Sequence, residues 1–375
     1  MENLIIESDN LIAMRKLLPE YEGKIDVMPI DPPYNTNISY VGYKDFDSRW
    51  NVFMRERLEV AYKLLSNRGV MFIHIDENEC VDLYHICLDI FGCENVRILI
   101  WKKTNDYFDK NRIEKPLENG IRRTHEFVLL CGKNLKETVL KPIMQPTLQN
   151  GKVVEREKPL ETVIDFFGTT SSAKDEIAAL FGDRTAFPTP KPMKLIKEFV
   201  RAASEKDSIV LDFFAGSGTT GHAVMDLNKE DGGSRKFILI TNNENNICRD
   251  VTYERIKRII DKEGYAASLK YYKVDYVPIS ERLYYEYADE LLCHVRELVE
   301  LENGINFTGN AEIAIVLTED ELAEFMTNIE AYGKCRKLYM GHDLLPDEQQ
   351  EKSLAEHGIE KNIIPDYYYR ELQEV

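Results

Sequence analysis

The stretch Leu211-Asp212-Phe213-Phe214-Ala215-Gly216-Ser217-Gly218-Thr219-Thr220-Gly221 limits the folds open to this chain more than any other part of it. The apolar Ser208-Ile209-Val210 ahead of it completes a buried strand, and His222-Ala223-Val224-Met225-Asp226-Leu227 continues as a helix. Strand, glycine turn and helix in that order build a doubly wound α/β sheet, and nucleotide cofactors sit at such turns. Gly216 and Gly218 permit positive φ and a close approach of backbone to ligand. Gly216, Gly218 and Gly221 also satisfy the spacing of a dinucleotide fingerprint. A second strand, Lys236 to Ile240, ends near Glu244, about where a ribose-binding acid belongs. These features suit a nicotinamide dehydrogenase as well as a methyltransferase.

Another strand end separates the two. Ile25-Asp26-Val27-Met28-Pro29-Ile30 reads as a short buried strand, and Asp31-Pro32-Pro33-Tyr34 follows it directly. The Asp31 carboxylate and the Pro32 carbonyl can both accept hydrogen bonds from an NH2 group. Pro32 and Pro33 fix φ and hold that pair still. Tyr34 offers a ring on which a planar base can stack, an interaction worth roughly 1–3 kcal/mol. Alone, such a tetrapeptide is more often a loop than an active site. Beside the glycine turn it has a use, because methyl transfer from S-adenosylmethionine to an amino group needs both. A dehydrogenase has no use for the amine grip.

In its motifs and their order the chain resembles the β-class DNA adenine-N6 methyltransferases, in particular the modification subunits of type III restriction systems. The resemblance covers most of residues 3–277. It is carried by Asn3 to Leu11, Lys24 to Thr36, Ser48-Arg49-Trp50, Gly69 to Asp76, Ile100 to Lys103, Thr124-His125-Glu126, Phe187 to Pro192 and Leu211 to Thr220. The fold it implies is α/β, a doubly wound, largely parallel sheet of the S-adenosylmethionine-dependent methyltransferase type. It further implies that Asp31, Pro32, Pro33 and Tyr34 hold the target adenine. Asp212, Phe213, Phe214, Ala215, Gly216, Ser217, Gly218, Thr219 and Thr220 would form the cofactor wall. Glu244 would take the ribose hydroxyls, Asp9 would face the cofactor adenine, and Thr189 and Lys191 would sit near its methionine end. Partners follow in the same way: DNA, and a second copy of the chain or a restriction subunit. One position departs from the family pattern, Pro29 where an aromatic residue is usual. A proline inside a central strand removes a ladder hydrogen bond, so altered geometry is expected beside Asp31.

The expected reaction moves a methyl group to N6 of an adenine in DNA. The base must leave the duplex to reach a pocket, at a cost of a few kcal/mol. The alternatives keep the chemistry and change the acceptor to cytosine N4, an RNA base or a protein amide. A catalytically impaired cofactor-binding subunit is a further alternative, which Pro29 keeps open.

The net charge of −17 is unevenly spread. Residues 281–375 hold 22 acidic and 8 basic residues, net −14. Residues 101–160 hold 13 basic and 8 acidic ones, with Trp101, Tyr107 and Phe108 among Lys102, Lys103, Lys110 and Arg112. Those four cations are the candidate phosphate contacts. Seven scattered cysteines read as buried reduced thiols, and seven histidines without ligand spacing give no metal site. His74, inside the strand Val70 to Asp76, reads as a strand-end hydrogen bonder. Without a leader or a long apolar run, the expected location is cytoplasmic.

The pattern assigns strands at 3–7, 25–30, 70–75, 96–101 and 126–131, the last antiparallel, with helices between them. Thr138 to Val153 reads as irregular and Ala173 to Phe181 as a helix. Residues 1–278 are expected to form the catalytic domain, with the target-recognition segment at about 101–186. Residues 279–375 are expected to form a small acidic α/β unit, with a helix from Glu281 to Glu302 and then β-α-β-α-β. That unit carries no loop chemistry of its own and reads as an assembly module.

Overall fold

The computed structural model describes residues 2–35, 49–104, 121, 123–150, 152–265, 267–274, 294–301, 303–307, 309–341 and 343–364. Lys110, Arg112, Tyr107, Phe108 and most of the helix expected at 281–302 lie outside them. The chain divides into a larger unit, residues 2–274, and a smaller one from residue 275 onward.

In the larger unit the apolar runs become strands. β1 (Asn3–Glu7), α1 (Asn10–Tyr21), β2 (Ile25–Ile30), α2 (Trp50–Leu64), β3 (Leu65–Ile75), α3 (Cys80–Phe91), β4 (Val96–Lys102) and β5 (His125–Gly132) come first. The hairpin β6 (Ile143–Gln149) and β7 (Lys152–Lys158), the short β8 (Val163–Ile164), α4 (Thr170–Phe181) and α5 (Met193–Ala203) follow. β9 (Ile209–Asp212), α6 (Thr219–Asp231), β10 (Lys236–Thr241), α7 (Glu254–Glu263) and β11 (Leu269–Lys273) complete it.

One nine-stranded sheet runs in the order β11-β1-β10-β9-β2-β3-β5-β4-β8. Pairing is parallel from β11 to β3, and β5 is antiparallel to both of its neighbours. α1, α2 and α3 pack in one row, and α5, α6 and α7 in another. Strands covered on both faces are apolar almost throughout, as β2, β9 and β10 are. α5 turns Leu195, Ile196, Phe199 and Val200 inward, and Phe199 stacks flat on Phe72 of β3 with 4.3 Å between ring centroids.

From β9 the chain crosses through α6 to β10, and from β2 through α2 to β3. The two connections leave the β9–β2 pair in opposite directions. Such a switch point opens a crevice beyond the carboxyl ends of the strands. Both sequence motifs sit there. Pro29 leaves β2 intact, since the register with β3 runs unbroken from Val27↔Val70 through Pro29↔Phe72 to Ile30↔Ile73. Its missing N–H lies beyond the single β2–β9 pair, Val27↔Val210.

The segment read as irregular is instead the β6–β7 hairpin, turning at Asn150 with φ +52°. The Asn150-Gly151 pair is a strong hairpin signal. β7 is mostly exposed, and the buried positions of β6 are Ile143 and the polar Gln145, so apolar alternation is faint in both strands.

In the smaller unit, a helix α8 (294–301) precedes β12 (Ile313–Val316), α9 (Glu319–Thr327), β13 (Lys337–Met340), α10 (Glu348–Glu356) and β14 (Glu360–Ile363). The three strands are parallel, in the order β12-β13-β14. Thr318 caps α9, and Asp347 forms a capping box with Gln350 on α10. Val316, Leu322, Phe325, Leu338, Met340 and Leu354 pack into its core. No described helix in the chain is long and apolar enough to cross a membrane.

Candidate active site

The loop after β2, the loop after β9 and the Phe187–Lys191 segment before α5 wall a single cavity of about 350 Å³. Asp31, Pro32, Pro33, Tyr34, Thr189, Lys191, Asp212, Phe214, Ala215, Gly216, Ser217, Thr219 and Thr220 all line it. On the β9 side, Asp212 is buried, taking a hydrogen bond from the Thr220 hydroxyl at 2.6 Å and from the Phe214 N–H at 3.0 Å. Burial outweighs these bonds and pushes its carboxyl up to about 7. Gly216 has φ +48°, and a Cβ there would lie 3.0 Å from the Phe187 ring. Gly218, at φ +74°, caps α6.

The loop is braced from behind. A π-helical turn, Ile247–Tyr253, carries Thr252, whose hydroxyl donates to the Gly216 carbonyl at 2.6 Å. Arg255, fully buried, donates to Thr219 Oγ1 at 2.9 Å and Ser217 Oγ at 3.2 Å. Phe213 stays outside the cavity, buried, with its carbonyl accepting from Asn10 at 2.7 Å.

On the β2 side four ionisable groups meet. The Lys191 ammonium lies 2.6 Å from Asp31 Oδ2, 3.0 Å from the Tyr34 hydroxyl and 3.4 Å from Glu126 Oε2. The Tyr34 hydroxyl is 2.7 Å from Asp31 Oδ1 and 3.0 Å from Glu126 Oε2. It has one proton and donates to one of them at a time. Lys103 reaches Glu126 Oε1 at 3.4 Å. Burial would lift both carboxyls, but the charges split them. Glu126, beside Lys191 and Lys103, is held below its ordinary range, whereas burial leaves Asp31 above its own despite Lys191. Lys191 stays charged, because Asp31 and Glu126 overcome its desolvation. The result is an acceptor, Asp31, raised by burial, beside a Lys191–Glu126 pair whose charges favour each other.

The profile of the N6/N4-type DNA methylases matches residues 25–254. The chain belongs to the DNA methylase family. It is similar to the StyLTI Mod subunit, a type III restriction-modification enzyme of Salmonella typhimurium, with 30% identity over 68% of this chain and 55% of that protein. The EcoPI Mod subunit of Escherichia phage P1 is 26% identical over 65% of this chain and 58% of that protein. The chain thus spans a little over half the length of these curated relatives. A solved structure, the M1.HpyAVI–SAM complex, aligns with 68% of this chain and 98% of its own, at 20% identity and a TM-score of 0.45.

In this member of the DNA methylase family several residues singled out by sequence stand apart from the cavity. Asp9 caps α1, accepting from Leu11 and Ile12, and pairs with Arg57 at 2.8 Å. Glu244 sits in a short turn, Glu244–Asn246, followed by Asn245 and Asn246 at positive φ. Neither belongs to the cavity wall. Lys102 is half-buried at the end of β4. Lys103 does line the wall, bound to Glu126 rather than turned to solvent. Lys191, expected near the methionine end of the cofactor, lines the cavity and is paired with Asp31, and the Tyr34 hydroxyl lies between Asp31 and Glu126. His74 was expected to be a hydrogen bonder. Neither of its ring nitrogens has a partner among the described residues. Glu126 has no role in the sequence reading, although a carboxylate at the start of an otherwise apolar strand is a signal.

Proposed function

We propose that this chain transfers the methyl group of S-adenosylmethionine to the N6 amine of an adenine flipped out of DNA. The main support is that the D-P-P-Y loop and the glycine loop, far apart in sequence, end neighbouring strands and face one cavity. The residues present fit the cofactor. Gly216 keeps open a space that a Cβ would close against Phe187, and Asp212 with the Phe187 and Phe214 rings offers an anionic and aromatic wall to a cation. Bound there, the cofactor would supply a methyl group activated by a sulfonium.

The chain's own residues would do the rest. Asp31 and the Pro32 carbonyl would accept the two amine protons, which localises the nitrogen lone pair and aims it. Asp31, lifted above its usual range by burial, would then take the proton that the methylated amine releases. Both Asp31 oxygens are engaged, one by Lys191 and one by Tyr34. An arriving amine therefore replaces one of them. Release of the Tyr34 hydroxyl would leave its ring able to stack on the base, while Lys191 keeps Asp31 in place.

Two expected results concern the cofactor side. Gly216→Val should weaken S-adenosylmethionine binding by more than about tenfold, because it meets both a positive φ and the Phe187 ring. Calorimetric titration measures it. Asp212 carries its charge only above about pH 7. Affinity for the cationic cofactor should therefore rise as pH increases through that value, and Asp212→Asn should flatten the dependence. A flat wild-type profile would remove Asp212 from the cofactor site.

For partners, the proposal is DNA together with a restriction subunit or a second copy of the chain, in the cytoplasm. Residues 1–278 would carry catalysis, and the acidic residues 279–375 would serve assembly, since their charge repels phosphate. The proposed phosphate contacts are Lys102, Lys110 and Arg112; Lys103 is retained by Glu126. The function itself is tested by offering labelled S-adenosylmethionine with unmethylated genomic DNA, total RNA or protein in separate reactions. Label confined to DNA supports the reading, and label in RNA or protein replaces it.

A further inference from the structure

His74 stands near the carboxyl end of β3, on the side of the sheet that faces α5. Val70, Phe72 and His74 alternate onto this side, where Phe72 stacks on Phe199. The imidazole meets the edge of Trp101 at 5.9 Å and 90°, and Phe199 at 5.9 Å. It is 0% exposed, and both nitrogens lack a hydrogen-bond partner among the described residues. A polar group buried in this way costs stability, and an apolar side chain would pack there without that cost. Its place explains the exception, for His74 lines the cavity with Trp101, Glu126 and Lys191. That is the half holding Asp31, across from the glycine loop.

The amine grip consists of acceptors alone. It recognises an NH2 group and says nothing about the ring behind it. Recognition of a ring nitrogen requires a donor. Lys191 and Lys103 are held by carboxylates, Arg123 pairs with Glu77, and Asn35 donates to Glu79 at 2.7 Å. The Tyr34 hydroxyl serves Asp31 and Glu126, and Trp101 Nε1 donates to the Gly168 carbonyl at 3.2 Å, while Thr170, Lys174 and Thr189 are further donors on the wall. His74 has no such commitment. Burial, aided by the nearby Lys191 charge, lowers its pKa to about 3, so the ring stays neutral with one N–H and one bare nitrogen.

We propose that His74 reads the flipped base, donating a hydrogen bond to an endocyclic nitrogen, N1 or N7, that flanks the N6 amine of adenine. The proposal rests on the adenine reading above and adds a specificity residue to it. A bond to N7 would separate adenine from cytosine, which has carbon in the matching position. A bond to N1 would match either base and exclude rings protonated there.

The test uses duplexes carrying the methylation site found by sequencing, with adenine, 1-deazaadenine or 7-deazaadenine at the target. The wild type and His74→Leu are compared by kcat/KM. The wild type should lose about tenfold or more on one analogue, the cost of one hydrogen bond. In His74→Leu adenine and that analogue should become nearly equal. His74→Gln, which keeps an N–H donor, should restore part of the discrimination. Thermal unfolding of His74→Leu should show an unchanged or higher Tm, and its S-adenosylmethionine affinity should stay within about twofold of wild type. The same analogue penalty in His74→Leu and wild type would overturn the proposal. So would a wild type that treats all three bases alike, or a variant that loses stability and cofactor binding together with activity. Failure of the wild type on unmodified adenine would instead fell the underlying reading, and this proposal with it.

Discussion

Asp31→Ala is expected to slow methyl transfer about 100- to 1,000-fold, the usual scale for losing one preorganised group that binds developing charge. S-adenosylmethionine affinity should stay within a few fold, because Asp31 faces Lys191 and Tyr34 while the glycine loop is braced independently by Thr252 and Arg255. The fold should survive as well. Lys191 keeps Glu126 at 3.4 Å when Asp31 is gone, so no ammonium is left without a counter-charge. Single-turnover kinetics beside calorimetry separates the two effects. A variant retaining more than about a tenth of the wild-type rate would show that Asp31 does not hold the reacting amine.

Lys191→Met should be more damaging to the molecule and more informative about pH. It leaves Asp31 and Glu126 sharing one hydroxyl. Removing one partner of a buried pair costs roughly 3–5 kcal/mol. The lower end is expected, because Lys103 still serves Glu126 at 3.4 Å. Lys191 now opposes the upward push of burial on Asp31. Without it Asp31 keeps its proton to higher pH. The active form is the carboxylate, present above the Asp31 pKa and lost as pH falls through it. The acid limb of the rate profile should therefore move to higher pH, with activity depressed at neutrality and partly recovered in alkali. Profiles of kcat/KM over roughly pH 6 to 10 would show it, with thermal unfolding alongside. An unmoved acid limb would uncouple Lys191 from Asp31.

What could be read from the chain in advance follows a physical divide. Strands buried on both faces announce themselves as apolar runs, so β1, β2, β9 and β10 and the two loops at their ends were legible. The hairpin at Ile143–Lys158 was not, because β7 is mostly exposed and β6 buries a glutamine, which leaves little apolar periodicity, although Asn150-Gly151 marked the turn. Loop motifs also pointed to the site. Its electrostatics were hidden, since Lys191 meets Asp31 only through the packing of α5 against β2 and β3. Pairings across that distance leave no local trace. His74 shows the same limit in reverse: its residue type was visible, but whether anything answers its nitrogens depends on three other elements. Pro29 illustrates a rule that context overrides, because β2 needs no further bond to β9 at that point.

The most direct test is the identity of the methylated nucleoside. Unmethylated genomic DNA incubated with the protein and labelled S-adenosylmethionine would be digested to nucleosides and resolved by mass. N6-methyldeoxyadenosine should carry the label, at one recurring sequence by modification-sensitive sequencing, and should be absent with Asp31→Ala. Label in N4-methyldeoxycytidine, or no transfer to DNA by a protein that binds the cofactor, would contradict the proposed function.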